Sequence, residues 1–373
     1  MTRKVVILVP DWSGGIDRLF ENIDQNGATA TSDFQFTLFN THGRSLRGIS
    51  ILPFGLVYYT SAIFYTLLLP FRLLKFIFLC LFRRIDICHI NLSTGASTVR
   101  KYLFAQICML FNVRFVIHLH GGDYRRFFAG LAPRLQSMVR SFYCDADRVI
   151  VLGKLWEDYA TEVMGVAPEN IEVLPNAVPG PDMVDWNAKE APPRILFLGR
   201  LIETKGIAEL VAALSVAEVK ELPWTATLAG DGEVASYRAR IETLGLNDRI
   251  RLTGWISSEA VTDELRKSSI FVLPSHHENL PLSMLEAMAF GLCPVVTPVG
   301  SIEDVIIDGT NGIVVPVKDS ARLADALLSV LRDSRKCRRL AETARADFLA
   351  EYDYKEYRGQ LERIYRSVLM ANR

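Results

Sequence analysis

Glu278 and Glu286 are two carboxylates eight residues apart, and they close the most chemically loaded stretch of this 373-residue sequence. Ahead of them runs Pro274-Ser275-His276-His277-Glu278-Asn279-Leu280-Pro281. Pro281 suits the first position of a helix, where its missing N–H leaves nothing unsatisfied. That puts Glu278 in the loop before the helix and Glu286 about 7–8 Å further along its axis, at 1.5 Å per residue. Ionised carboxylates only accept hydrogen bonds, so they match hydroxyl donors. Two of them at different depths beside a helix N-terminus suit a ligand with hydroxyls at both ends and phosphate between, as in a nucleotide sugar. The bare spacing carries little by itself. Glu286 in an apolar helix also fits a structural ion pair, and the two glutamates also fit an acid/base pair of a glycosidase.

Three other stretches offer complementary chemistry. Gly199-Arg200-Leu201-Ile202-Glu203-Thr204-Lys205-Gly206 puts two cations at a strand end and a helix start. The planar fork of Arg200 and the compact charge of Lys205 suit a diphosphate, and the helix adds the positive end of its dipole. Exposed loop charges are the plain alternative. In His118-Leu119-His120-Gly121-Gly122-Asp123, strand alternation sets both histidines on one side. His120 comes last before the glycines and is expected to project into a cleft and contact substrate, while His118 packs behind it. His-x-His with Asp123 could ligate a metal, but no companion Cys or acidic cluster completes such a site. In Asp11-Trp12-Ser13-Gly14-Gly15, paired glycines between a strand and a helix allow backbone to approach a phosphate. A plain tight turn explains them equally, and the dinucleotide fingerprint is absent.

These residues need strand ends to hold them, and the hydrophobic pattern supplies them. Apolar runs at 5–9, 34–39, 85–90, 115–119, 148–152 and 171–174, and again at 195–198, 225–228, 250–252, 270–273, 294–297 and 313–315, alternate with helical stretches. That alternation predicts an α/β protein of parallel sheets covered on both faces. A Pro-, Asn- and Gly-containing joint at 175–193 divides it into two doubly wound domains. In such folds ligands bind at the carboxyl ends of strands, and a cleft between the two domains is the expected site.

The bulk numbers restrict the alternatives. Basic and acidic residues balance at 42 each, which argues against a nucleic-acid binder. From His42 to Arg140, however, there are thirteen Lys and Arg against only Asp86 and Asp123. That basic face suits an anionic membrane surface or anionic ligands, or else it is solvated and pairs with acids elsewhere. No signal peptide precedes the strand at 4–10 and the six cysteines show no CxxC spacing, so a reducing cytoplasm is expected. Residues 48–71 carry no charge. A true span there would strand the first strand on the wrong side of a membrane. An apolar helix, part core and part lying on the membrane, is expected instead, followed by Arg72, Lys75, Arg83 and Arg84. Asp145-Ala146-Asp147 mimics a metal-binding D-x-D but sits between a helix and a strand, and is read as a surface turn.

The stretch from Glu278 to Gly291 resembles the E-x7-E signature of retaining GT-B glycosyltransferases of family 4. The resemblance extends along the chain, through Gly14-Gly15 with Arg18, Asp86-Ile87-Cys88-His89, His120-Gly121, Leu174-Pro175-Asn176-Ala177-Val178, Gly199-Arg200-Leu201 with Lys205-Gly206, and Gly300 to Gly312 with Pro316. It implies two Rossmann-like domains facing across a cleft. Residues 1–175 would bind the acceptor and 176–352 the nucleotide sugar, with a helix at 353–373 packing back on the first domain. It further implies transfer of a hexose-type sugar from a UDP- or GDP-linked donor to a lipid-linked or saccharide acceptor, in bacterial surface polysaccharide biosynthesis. No cofactor and no metal would be needed, and the protein would sit peripherally on the inner face of the plasma membrane. Arg200 and Lys205 would neutralise the diphosphate and Glu286 would bind ribose. Glu278 with Asn279 and Leu280 would bind the transferred sugar, His120 would contact it near the reacting carbon, and Gly14 and Gly15 would meet phosphate. Asn279-Leu280-Pro281 in place of the family's usual G-F-G, and Ser301 in place of a second glycine, leave the sugar's identity open. A GT-B nucleotide-sugar epimerase and a membrane-surface binding module without turnover are the rival readings.

Overall fold

The computed structural model describes residues 2–9, 19, 33–41, 54–186, 189 and 192–371, with backbone alone for 54–67. Gly14, Gly15 and Arg18 lie outside the described residues. The chain divides into two compact units, Met1–Pro175 with Arg358–Arg373, and Asn176–Tyr357. The last helix, Tyr354–Met370, thus contributes its first turn to the second unit and the rest to the first.

The first unit is built on β1 (Arg3–Val9), β2 (Phe34–Asn40), β3 (Ile87–Leu92), β4 (Arg114–Leu119), β5 (Arg148–Val151) and β6 (Ile171–Val173). They form one parallel sheet in the order β2-β1-β3-β4-β5-β6. β3 is buried along its whole length and β4 in all but its first residue, which is why both read as near-continuous runs rather than as alternating ones. β3 starts two residues later than its apolar run. The Asp86 carboxylate accepts the Lys4 backbone N–H at 2.7 Å and approaches the Arg3 guanidinium at 3.4 Å, so the ladder with β1 opens at Val5 and Ile87. The strand then runs two residues past that apolar run, through Asn91 to Leu92.

One face of this sheet carries a core centred on Phe104, which meets Phe76 and Phe39 edge-on at 5.0 and 5.8 Å between ring centroids. Phe76 comes from the apolar helix, which runs unbroken from Phe54 to Leu81 with Pro70 inside it. Pro70 thus lies inside the helix without ending it. In its described second half Phe76 and Cys80 are buried, while Phe71, Leu74, Phe78 and Leu81 stand exposed, followed by Phe82. Among the described residues no helix is long and apolar enough to cross a membrane. Asp145–Asp147 is a turn, but not a purely surface one. The nearly buried Asp147 carboxylate accepts from the Arg114 guanidinium at 2.7 Å and the Phe115 N–H at 2.8 Å, pinning the start of β4.

The second unit repeats the plan with β7 (Arg194–Leu198), β8 (Thr225–Ala229), β9 (Ile250–Gly254), β10 (Ile270–Leu273), β11 (Cys293–Val296) and β12 (Ile313–Val314), parallel in the order β12-β11-β10-β7-β8-β9. The helix after β10 is Leu282–Ala289, with Pro281 in extended conformation just ahead of it. The proline is the capping residue, one position earlier than its type predicts. A short helix at Tyr124–Ala129, seated by buried Tyr124 and Phe128, is not apparent from the sequence pattern.

Phe104→Ala empties a fully buried site between two other rings. It should destabilise the first unit by about 3–5 kcal/mol in urea unfolding, with little effect on the second unit's transition.

Candidate active site

From β7 the chain of the second unit winds outward through β8 and β9, then returns to the opposite side of β7 with β10. Neighbouring strands whose connections leave in opposite directions open a crevice at their carboxyl ends. The loops after β7 and β10 meet there. Gly206 has φ +69°, and a Cβ on it would lie 2.0 Å from the Pro274 carbonyl oxygen, so only glycine lets the two loops approach this closely. The His276 N–H donates to the Thr204 carbonyl at 2.9 Å and closes the seam.

That seam brings Lys205 onto Glu278, and the ammonium donates to Glu278 Oε1. The Ser275 hydroxyl donates to the same oxygen at 2.9 Å. Both described donors use Oε1, which leaves Oε2 to accept from elsewhere, and an ammonium has three hydrogens of which this pair uses one. Arg200 stands on the same loop, its guanidinium 3.5 Å from Asp231 and more than half exposed. Glu286 lies half-buried in Leu282–Ala289, between buried Leu285 and Ala287.

The main chain behind Glu278 is held at successive carbonyls. Gly300 has φ +64°, and a Cβ there would fall 2.4 Å from the carbonyl oxygens of both Glu278 and Asn279. The Ser301 N–H donates to the Asn279 carbonyl at 2.8 Å. The Asn176 side-chain amide donates to the Leu280 carbonyl at 2.8 Å, and the Thr297 hydroxyl to the Ser275 carbonyl at 2.5 Å. His276 Nε2 lies 3.0 Å from Glu209 Oε1. Sequence reasoning missed Thr297 and Glu209 altogether, and quoted Ser275 and Asn176 only as parts of motifs. Their one visible signal is position: each stands on a strand end or the helix that follows it.

In the first unit β3 and β4 pair so that Asn91 sits beside His118, and the His120 N–H donates to the Leu92 carbonyl at 2.9 Å. His89, Asn91, His118 and His120 therefore gather at one end of the sheet. His120 Nε2 and His89 Nε2 lie 3.1 and 3.2 Å from Asn91 Oδ1, and the rings of His118 and His120 are 4.0 Å apart. His120 is only 7% exposed. Burial pushes the imidazole of His89 down to about 3, and burial with neighbouring imidazoles holds His118 and His120 well below the usual range. All three are neutral. Among the described residues no three His, Cys, Asp or Glu side chains are grouped to hold a metal ion.

Two family models match this arrangement half by half. The one described as glycosyl transferases group 1 covers residues 181–347, and a glycosyl transferase 4-like domain covers residues 28–177. This chain belongs to family 4 of the GT-B glycosyltransferases. Family members similar to it include the alpha-D-kanosaminyltransferase of Streptomyces kanamyceticus, 32% identical over 177 residues, 47% of this chain and 46% of that protein. The match thus spans about half the length of that relative. The GDP-mannose:cellobiosyl-diphosphopolyprenol alpha-mannosyltransferase of Xanthomonas campestris is 24% identical over 292 residues, 77% of this chain and 75% of its own. The GT-B fold itself is shared with Anabaena HepE, solved in complex with UDP: TM-score 0.74 at 17% identity, covering 98% of this chain and 100% of HepE.

Lys205→Met strands the largely buried Glu278 carboxylate without its cation. It should cost about 1–3 kcal/mol, and Lys205→Met with Glu278→Gln should recover much of that loss. Thermal unfolding of the two variants checks this, and equal losses in both would show that the pair is not coupled.

Proposed function

We propose that this chain is a retaining glycosyltransferase that moves a hexose-type sugar from a UDP- or GDP-linked donor to a lipid-linked or saccharide acceptor, without a metal ion, in bacterial surface-polysaccharide assembly. The observation that carries this reading is the Lys205–Glu278 pair at the crevice between β7 and β10. A cation with hydrogens to spare and a carboxylate with an unused oxygen stand side by side there, as the junction of a phosphate and a sugar requires.

Arg200 and Lys205 then stabilise the charge that develops on the departing diphosphate, in place of a divalent ion. Glu278 Oε2, with the backbone at Asn279 and Leu280, takes hydroxyls of the transferred sugar, and Glu286 takes those of the ribose. By the family resemblance, Gly14 and Gly15 would meet phosphate and His120 would contact the transferred sugar. Relatives lend support by name. One uses GDP-mannose and a diphosphopolyprenol-linked acceptor, and HepE binds UDP.

The peripheral membrane part of the reading rests on the helix Phe54–Leu81. Phe71, Leu74, Phe78 and Leu81 recur at helical spacing on its exposed side, with Arg72, Lys75, Arg83 and Arg84 alongside. Exposed apolar side chains flanked by cations fit the boundary of an anionic bilayer, the surface where a polyprenol-linked acceptor resides.

Two outcomes are expected. Arg200→Ala and Glu286→Ala should each weaken calorimetric binding of UDP or GDP by roughly tenfold, about 1.4 kcal/mol; undiminished affinity in both would sink the donor assignment. Phe71→Ser with Phe78→Ser should abolish co-sedimentation with phosphatidylglycerol vesicles while leaving nucleotide binding intact. Wild-type protein that ignores such vesicles would overturn the membrane part alone.

A further inference from the structure

The first unit holds a chain of hydrogen bonds in which every proton can be assigned. The Tyr365 hydroxyl lies 2.8 Å from His89 Nδ1. His89 Nε2 and His120 Nε2 converge on one atom, Asn91 Oδ1, at 3.2 and 3.1 Å. The Asn91 amide nitrogen lies 3.3 Å from the Leu8 carbonyl oxygen. That carbonyl can only accept, so the carboxamide must turn its NH2 toward Leu8 and its oxygen toward the two rings; the opposite orientation would set two oxygens against each other. Lys101 donates to the Asn91 backbone carbonyl and fixes the residue from the other side.

A carboxamide oxygen only accepts, so both Nε2 atoms carry hydrogen. Each ring is buried and neutral, and a neutral imidazole has one N–H. Nδ1 is therefore an acceptor in both. At His89 the Tyr365 hydroxyl donates to it, which completes the assignment from the far end.

We propose that Asn91 is the positioning residue for His120: its side-chain oxygen selects the Nε2–H tautomer, so that whatever His120 meets through Nδ1, it meets as a hydrogen-bond acceptor. The proposal deepens the reading of His120 as a contact to the transferred sugar, and rests on that reading for its catalytic meaning. An acceptor at Nδ1 favours a donor that offers a hydroxyl hydrogen there, and disfavours one that offers an ether oxygen or a deoxy carbon. Asn91 acts through the imidazole and need not touch substrate.

The test is the tautomer itself, read from long-range ring 15N–1H spectra of the full chain labelled in histidine, with His120 assigned by His120→Gln. In the wild type His120 and His89 should both appear as the pure Nε2–H form. Asn91→Leu should shift His120 toward a mixture with the Nδ1–H form and lower kcat about tenfold, with donor KM changed less than about twofold. Tyr365→Phe removes a donor at the other end of the chain and should leave the His120 tautomer unchanged. A wild-type His120 protonated on Nδ1 overturns the proposal without any variant. So does a folded Asn91→Leu protein that keeps the pure Nε2–H form. If the spectra behave as expected but His120→Ala retains full turnover, the sugar-contact reading fails and the assignment of Asn91 stands.

Discussion

The candidate donor site depends on the close approach of Gly206 to the carbonyl of Pro274. Any side chain at 206 would occupy the space of that oxygen, and a φ of +69° disfavours every other residue type independently. With glycine, the loops after β7 and β10 close to hydrogen-bonding distance and Lys205 reaches Glu278. The strand order makes this possible, because β7 and β10 are neighbours whose connections leave in opposite directions. Gly300, Asn176 and Thr297 then hold the backbone from Ser275 to Leu280, so that the carboxylate is presented by a rigid loop.

Much of this was legible in the residues. Buried parallel strands announce themselves as apolar runs, so the twelve strands of the described residues and their split into two sheets follow from the pattern. The pattern failed where a polar side chain took over the backbone's role. Asp86 caps the start of β3 and delays it, while His89 and Asn91 are tolerated inside β3 because they satisfy one another. Lys205 and Glu278 were recognisable by type. That they form a pair was not, because they stand 73 residues apart and only the winding of the sheet brings them together. Ser275, Asn176 and Thr297 left still less trace. Neutral side chains that bind main-chain carbonyls have no spacing rule to give them away.

The two units use opposite electrostatics. The second presents full charges in partly exposed loops, where they can be exchanged for the charges of a phosphate. The first buries a neutral network of three imidazoles and a carboxamide beside the Lys101 cation, which strengthens every hydrogen bond in it and makes an unmatched one costly. On the long helix of the same unit, Phe71, Leu74 and Phe78 remain exposed.

The buried imidazoles carry a thermodynamic consequence as well. In the folded chain His89, His118 and His120 stay unprotonated well below the 6.5 of an ordinary histidine, His89 down to about 3. In the unfolded chain each takes up a proton as the medium falls through 6.5, so acid selectively favours the unfolded form. Across that interval the buried imidazoles lower the stability of the fold as the pH falls. The cluster that shapes the strand ends of the first unit is thus also a source of acid lability in it.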